Sequence, residues 1–233
     1  MLSIIVPAHN EADHIEATLT HLHEAARQAG VAYELIVVDD ASEDATAERS
    51  RELGAQVCGV AHRHIAATRN AGARIARFHR FLFVDADTLV PPETLAAAMA
   101  AMDDGAVGGG AQVAFSGEPP RSARIGLWCW NRTARLCRWA AGCFVFARRD
   151  AFETAGGFDE TYFAGEELAL SRGLKRCGRF VVLRQCVHTS PRKFHLYRIS
   201  GYLKLLGLTL LTGGRVLRRR EHLPQWYNRQ RVD

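Results

Sequence analysis

Apolar runs alternate with segments of helical spacing from the start of the chain. Leu2 to Val6 is a continuous, β-branched apolar run that ends at Pro7, which is typical of a buried strand. Apolar residues then recur at helical spacing from Asp13 to Ala29, and a second apolar run follows at Leu35 to Val38. This strand, helix, strand order predicts βαβ units on a mostly parallel sheet.

The alternation continues, with looser periodicity after about residue 90. Gly108-Gly109-Gly110 stands before an apolar run and is interpreted as a turn that also allows close approach. The chain contains no Pro- or Ser-rich linker, so we expect one domain over residues 1–190. Further helices are predicted at 44–53, at 65–77, at a segment opened by Pro91 and Pro92, around 125–139 and at 168–177. Further strands are predicted at 56–58, 81–84, near 113–115, 143–146, 180–183 and 185–187.

Composition supports a folded domain. The 233 residues are 48% hydrophobic and 24% charged, which excludes a disordered chain, a collagen or a coiled coil as the main state. The N-terminus has no basic segment before a long apolar run, and the six cysteines include no C-x-x-C pair. We therefore predict a cytoplasmic protein with reduced thiols.

Positive charge is concentrated at the C-terminal end. Residues 192–233 contain ten Lys or Arg against Glu221 and Asp233, a net charge of +8, whereas the whole chain has a net charge of +5. These charges flank the apolar segment Leu203 to Leu211, so we predict a basic, amphipathic helical extension over 191–233. Such a segment suits an anionic membrane surface on the inner face, with a solvated basic helix as the alternative. No recognition-helix or aromatic-interleaved pattern accompanies it, so we expect no nucleic acid partner.

Carboxylates follow three predicted strands. Glu11 comes soon after the first strand, Asp39-Asp40 directly after the second, and Asp85-Ala86-Asp87 after the strand at 81–84. Ligands of open parallel sheets bind at the carboxyl ends of the strands, so these residues are candidates for a site. Clustered carboxylates repel one another unless a cation lies between them, and hard oxygen ligands suit Mg²⁺ or Mn²⁺ shared with substrate phosphates. Each carboxylate alone would also fit a helix cap or turn.

Two further segments carry candidate chemistry. Arg69 could bridge phosphate oxygens, or be a surface arginine without a ligand. Glu166-Glu167 stands at a predicted helix start, where a capping role competes with that of a general base beside an orienting partner. His188 is either a structural histidine or a ligand. The glycine-rich fingerprints of dinucleotide enzymes and P-loop NTPases are absent from the sequence.

The ordered motifs VPAHNEAD, VVDDASEDAT, ATRNAGA, LFVDADT, GGFDE, GEE and HTSPR resemble family 2 of the nucleotide-sugar glycosyltransferases over residues 1 to about 195. The resemblance implies an α/β fold of the GT-A type, Rossmann-like and single-domain, with a nucleotide-binding half over about 1–105 and an acceptor half over about 106–190. The resemblance also implies residue roles. Pro7, Glu11 and Asp39 would contact the nucleoside, Arg69 the diphosphate and Asp85 the ribose or sugar.

By the same resemblance, Asp87 would bind the metal with His188 as a further ligand, Glu167 would be the catalytic base after Glu166, and Trp139 and Gly142 would lie near the acceptor.

The implied reaction is metal-dependent, inverting transfer of one sugar from a nucleoside diphosphate sugar, with a UDP-sugar preferred, to a hydroxyl on a sugar or lipid-linked acceptor. The sequence departs from the family in having Glu166-Glu167 where Glu-Asp is usual, which gives the base one more methylene. It also lacks the Q-x-x-R-W sequence of polymer synthases, which favours single-sugar transfer. The alternatives are a nucleotidyltransferase acting on sugar phosphates and a catalytically silent binding module.

Overall fold

The structure is a computed structural model that describes residues 1–117, 119–191, 212, 215–219 and 221. Strands and helices alternate through the first half of the chain. The elements up to residue 103 are β1 (Leu2–Ala8), α1 (Ala12–Gln28), β2 (Tyr33–Asp40), α2 (Thr46–Glu52), β3 (Gln56–Val60), α3 (Ile65–Ile75), β4 (Arg80–Val84), β5 (Thr88–Leu89) and α4 (Pro92–Asp103).

The second half contains longer strands and one long exposed helix. Its elements are β6 (Gly108–Phe115), α5 (Arg121–Cys137), β7 (Phe144–Arg148), α6 (Arg149–Thr154), α7 (Glu166–Cys177) and β8 (Phe180–Thr189), followed by a 3-10 helix at Arg215–Arg218. The helical extension predicted for 191–233 lies outside the described residues, apart from this 3-10 helix and its immediate neighbours.

The described strands form one eight-stranded sheet in the order β3-β2-β1-β4-β7-β6-β8-β5. β3, β2, β1 and β4 are parallel to one another, so their carboxyl ends share one edge. β7 runs antiparallel to both β4 and β6, and β6 is parallel to β8. The predicted α/β class with a mostly parallel sheet is confirmed, and the antiparallel strand β7 joins its two parts.

Helices cover both faces of the sheet because the central strands are apolar on both sides. In β1, Ile4 and Val6 pack against α1 and α4, whereas Ile5 packs against α3 on the other face. The close packing of α3 depends on Gly72, where a Cβ atom would lie 2.4 Å from Ile5 Cγ2. This packing fixes the position of α3 and therefore of Arg69, which α3 carries.

Several predicted boundaries were wrong. Gly108-Gly109-Gly110 is not a turn but the start of β6, and β8 is one strand where two were predicted. The close approach expected of the glycines is confirmed, since a Cβ atom on Gly109 would lie 2.2 Å from the carbonyl oxygen of Val181. The helix predicted to reach Trp139 ends at Cys137, where Arg138 adopts the left-handed conformation.

Candidate active site

The loops after β1 and β2 are joined by hydrogen bonds at the carboxyl edge of the sheet. The Glu11 N–H donates to Thr46 Oγ1 at 2.8 Å, and the Asn10 N–H donates to Ser42 Oγ at 2.9 Å. Asp39 in β2 lies opposite Ala8 in β1, one register position beyond buried Pro7. The structure therefore brings Pro7, Glu11 and Asp39, the three predicted nucleoside residues, to the same edge.

The two neighbouring aspartates of β2 have different environments. Asp40 is buried and accepts hydrogen bonds from the N–H groups of Arg63 and His64 and from Thr68 Oγ1, so it fixes the turn that begins α3. Asp39 is half-buried, and its Oδ1 is enclosed without a hydrogen-bond partner among the described residues. An enclosed carboxylate oxygen without a donor is unfavourable, so Asp39 is suited to accept one from a ligand.

Arg69 is the centre of a buried ionic network. Its side chain is only 2% exposed; one terminal nitrogen donates to Glu166 Oε1 at 2.5 Å and the other to Asp85 Oδ1 at 2.7 Å. The second nitrogen also donates to the carbonyl oxygen of Gly142 at 2.9 Å. Burial opposes the charge of the guanidinium, but Asp85 and Glu166 outweigh burial and raise its pKa, so Arg69 stays cationic. In this structure both terminal nitrogens of Arg69 donate hydrogen bonds to protein oxygens. Contact between Arg69 and a diphosphate stays a prediction.

The two adjacent glutamates of α7 have different environments, as Asp39 and Asp40 do. Glu166 is buried and paired with Arg69, whereas Glu167 is half-buried beside it. Burial and then the negative charge of Glu166 raise the pKa of Glu167 from 4.5 to about 8, although Arg69 acts in the opposite direction. The N-terminus of a helix favours a carboxylate, so here burial and like charge outweigh the helix dipole. The result is a carboxyl group that can take up or release a proton near neutral pH.

The GGFDE segment, residues 156–160, contacts Arg69 and the neighbouring residue of α3. The Phe158 ring lies 5.2 Å from the Arg69 guanidinium carbon, in a cation–π arrangement. Asn70, the next residue of α3, accepts from the Phe158 N–H at 3.0 Å and donates to the Phe158 carbonyl at 2.8 Å. Sequence reasoning assigned no role to Asn70 or Phe158, although both lie in motifs that it singled out.

Asp85 and Asp87 have different partners. The Asp85 carboxylate binds Arg69, whereas Asp87 Oδ1 accepts from Thr189 Oγ1 at 3.4 Å, and the Asp87 carbonyl accepts from the Ser190 N–H. β5 also pairs Leu89 with exposed His188. Asp87 therefore lies beside the end of β8, and a metal site shared with His188 stays a prediction. Among the described residues, no group of three His, Cys, Asp or Glu lies close enough to hold a metal ion alone.

The predicted acceptor residues follow α5. The backbone N–H of half-buried Trp139 donates to the Ala134 carbonyl. Gly142 lies next to the Arg69 network, with the site of its missing Cβ 3.4 Å from Arg69 and 3.6 Å from the Glu167 carboxyl. Gly142 is thus in the immediate surroundings of Glu167. No contact between Trp139 and that carboxyl group is among those the structure describes.

A short segment near the C-terminus packs on the loop before α7. The carbonyl of Leu217 accepts from the N–H groups of Phe163 and Ala164, and buried Val216 packs against Ala164. The Phe163 ring in turn contacts His64, the residue that caps α3, with ring centroids 4.6 Å apart. The 3-10 helix therefore buttresses the loop that leads into Glu166 and Glu167.

The chain is similar in sequence to known glycosyltransferases. The sequence profile described as Glycosyl transferase family 2 matches residues 3–156. A dolichol-phosphate mannosyltransferase of Pyrococcus furiosus is 28% identical over 136 residues, covering 56% of this chain and 37% of that protein. An undecaprenyl-phosphate 4-deoxy-4-formamido-L-arabinose transferase of Edwardsiella ictaluri is 33% identical over 112 residues, covering 45% of this chain and 34% of that protein. The matched region is therefore about a third of each relative's length.

Solved structures share the fold. A mannosyltransferase of Pyrobaculum calidifontis, in complex with GDP-Man and Mn²⁺, superposes with a TM-score of 0.68 at 22% identity, covering 97% of this chain and 62% of that one. S. aureus TarS in complex with UDP superposes with a TM-score of 0.63 at 21% identity, covering 81% of this chain and 60% of that one. Within the described residues, no helix combines the length and the apolar character that crossing a bilayer requires.

Proposed function

The chain belongs to glycosyl transferase family 2, and on that premise we propose that it transfers one sugar from a nucleoside diphosphate sugar to an acceptor with inversion at the anomeric carbon. The observation that carries the proposal is the unequal pair of glutamates at the start of α7. Arg69 pairs with Glu166, whereas burial and the charge of Glu166 raise the pKa of Glu167 beside it. A general base is most effective when its pKa lies near the working pH.

The donor is a UDP-sugar in this proposal, and Asp39 contacts its base. Uracil presents an N–H donor, and the enclosed Oδ1 of Asp39 lacks one. Neighbouring structures of the same fold are complexes with UDP and with GDP-Man, so both nucleotides belong in a test of the donor.

Asp87 is the proposed protein ligand of a divalent metal. Mg²⁺ and Mn²⁺ prefer oxygen ligands and are commonly held by one or two carboxylates together with substrate phosphates. A half-buried carboxylate beside the end of β8 fits this use, without a larger protein cluster. When bound, the metal would balance charge on the departing diphosphate.

Glu167 acts on a hydroxyl acceptor. The acceptor oxygen bonds to the anomeric carbon, the bond from that carbon to the diphosphate oxygen breaks, and the hydroxyl proton passes to the Glu167 carboxylate. Arg69 holds Glu166 and Asp85 in place and so positions α7 against the end of β4. The product side is a glycoside and a nucleoside diphosphate.

The names of the relatives suggest a lipid phosphate as the acceptor, and this changes what is asked of Glu167. A phosphate monoester is largely deprotonated at pH 7, because its second pKa is about 6. Its oxygen can attack without giving up a proton, whereas a hydroxyl cannot. The contribution of Glu167 should therefore depend on the acceptor class.

The test is turnover with a panel of UDP- and GDP-sugars, scored by release of the nucleoside diphosphate. We expect one UDP-sugar to be consumed with Mn²⁺ or Mg²⁺ and consumption to stop with a chelator. With a hydroxyl acceptor, Glu167→Gln should lower kcat by about 10²- to 10⁴-fold and leave donor affinity nearly unchanged. With a polyprenyl phosphate acceptor, the same variant should lose far less.

Two matched variants control for structure. Glu166→Gln removes the partner of Arg69, and Glu16→Gln changes an exposed glutamate on α1. If Glu167→Gln kept a near-parental kcat with hydroxyl acceptors as well as with phosphate acceptors, Glu167 would not be the general base. Absence of turnover and of nucleotide binding with the whole panel would contradict the enzymatic proposal itself.

A further inference from the structure

The outer face of α5 exposes large apolar side chains. Ile125, Trp128 and Leu136 are 66%, 61% and 86% exposed, and Met1 is the one other large hydrophobic residue of comparable exposure in the part of the chain that the structure describes. Single exposed hydrophobics are ordinary, but three on one helix form a patch. Such a patch on a folded domain marks an interaction surface.

The three side chains form a stripe along one side of α5, and the helix is held in a fixed orientation. At about 100° per residue, Ile125, Trp128 and Leu136 fall within an arc of roughly 80° on the helix surface. The helix is anchored to β6, because Asn131 accepts from the Val113 N–H at 3.0 Å and donates to the Val113 carbonyl at 2.8 Å. Ala123 and Ala134 are buried on the side of the helix opposite the stripe. The helix therefore presents the stripe outward.

Arginines lie within the stripe and along its edge, and acidic residues are absent from the helix. The guanidinium carbon of Arg132 lies 5.2 Å from the Trp128 ring centroid. Tryptophan and aliphatic side chains beside cations, with no anion among them, are the pattern of a helix that lies in a lipid interface. The exposed arginines of α5 are Arg121, Arg124, Arg132 and Arg135.

We propose that this face of α5 docks on an anionic phospholipid membrane. Charge selects the occupant: a second copy of the chain would place the same arginines against one another, and like charges across an interface are unfavourable. A bilayer of anionic lipids supplies both negative headgroups for the arginines and an apolar layer for Ile125, Trp128 and Leu136. The docking surface consists of residues of α5 (Arg121–Cys137), which do not belong to the basic extension predicted for 191–233.

Helix α5 lies close in the chain to the candidate active site. Five residues after α5 ends at Cys137, the chain reaches Gly142, whose carbonyl accepts from Arg69. A docked α5 would hold this side of the site near the headgroup layer, where a lipid-linked acceptor presents its phosphate. This consequence rests on the proposed function, whereas docking itself does not and can be measured without a nucleotide sugar.

The experiment is co-sedimentation of the full chain with vesicles of phosphatidylcholine alone or mixed with phosphatidylglycerol. We expect binding only to the anionic vesicles, weakened by salt. Changing Arg124, Arg132 and Arg135 to Gln should lower the vesicle partition coefficient on the order of a hundredfold, since each basic residue near such a surface contributes about fivefold. The matched control changes three exposed arginines elsewhere, Arg51, Arg74 and Arg184, to Gln.

Tryptophan fluorescence separates insertion from general attraction. Anionic vesicles should shift the parent's emission to the blue, and Trp128→Phe should lose most of that shift while still sedimenting with the vesicles. Equal losses in the two arginine triples, or parental binding by the α5 triple, would overturn the proposal. So would self-association of the parent without lipid that Trp128→Ser abolishes.

Discussion

The two glutamates at the start of α7 show how one buried cation makes neighbouring residues of the same type different. Arg69 pairs with Glu166 and leaves Glu167, which is next in the chain, in a partly buried position near like charges. The helix N-terminus would favour ionisation of both. Arg69 therefore decides which carboxyl group remains available for proton transfer.

The raised pKa of Glu167 predicts a pH-dependent stability. In the unfolded chain the carboxyl titrates near 4.5, and in the folded chain near 8. Between these values the folded state holds a proton that the unfolded state has lost, so the free energy of unfolding decreases as pH rises through this window. The stabilisation is complete below the lower value and is lost above the higher one.

Glu167→Gln should remove this dependence, because an amide does not titrate. We expect the variant to be more stable than the parent at about pH 8 and closer to it at about pH 5, in urea unfolding at a series of pH values. Glu16→Gln on the surface of α1 is the control. Parallel pH profiles for the parent and Glu167→Gln would mean that burial does not hold the proton.

Residue spacing predicted part of the site. The strand-end carboxylates could be predicted from the sequence because the carboxyl ends of parallel strands lie at one edge of the sheet. The start of α7 could be predicted from its helical spacing. The different environments of Asp39 and Asp40 were not predicted, because β2 was predicted to end at Val38 but continues through Asp40. In a strand, neighbouring residues point to opposite faces, so one aspartate turns toward α3 and the other does not. The pairing of Arg69 with Glu166 joins residues 97 apart and has no local signal.

At the scale of elements, β6 depends on its glycines for packing rather than for turning. The sequence favoured a turn because glycine is common there, but in β6 the glycines make room for β8 and for Phe146. Strand β5 and helix α6 were not predicted, since a two-residue strand and a six-residue helix are defined by their partners more than by their own residues.

Gly109→Ala should destabilise the fold substantially. The added Cβ atom would lie 2.2 Å from the Val181 carbonyl oxygen, which is backbone and cannot turn away. Overpacking of this kind typically costs about 1 to 3 kcal/mol, measurable as a lower urea midpoint. The matched control is Gly59→Ala in exposed β3, where a Cβ atom meets nothing within 4 Å. Equal midpoints for the two variants would show that β6 and β8 can separate without cost.

At the scale of the whole molecule, the 3-10 helix at Arg215–Arg218 connects the far end of the chain to the loop before Glu166. Val216→Ser should weaken that contact, because it replaces a buried apolar side chain with a hydroxyl. Hydrogen exchange at the Phe163 and Ala164 amides, which donate to the Leu217 carbonyl, should accelerate. Arg219→Gln, at an exposed position, is the control. Unchanged exchange at both amides would mean that the segment does not hold the loop.

The reach of Arg69 along the chain bears on the order in which the protein is assembled. Its partners Asp85, Gly142 and Glu166 lie 16, 73 and 97 residues further along the chain. Phe158, Gly142 and Glu166, all from the second half, contact the guanidinium and contribute to its burial. Until these residues have been synthesised, α3 lacks the ring and the buried ion pair that pack around Arg69. During translation, this side of the core should therefore be completed only after α7 has left the ribosome, and the two halves should fold as one cooperative unit.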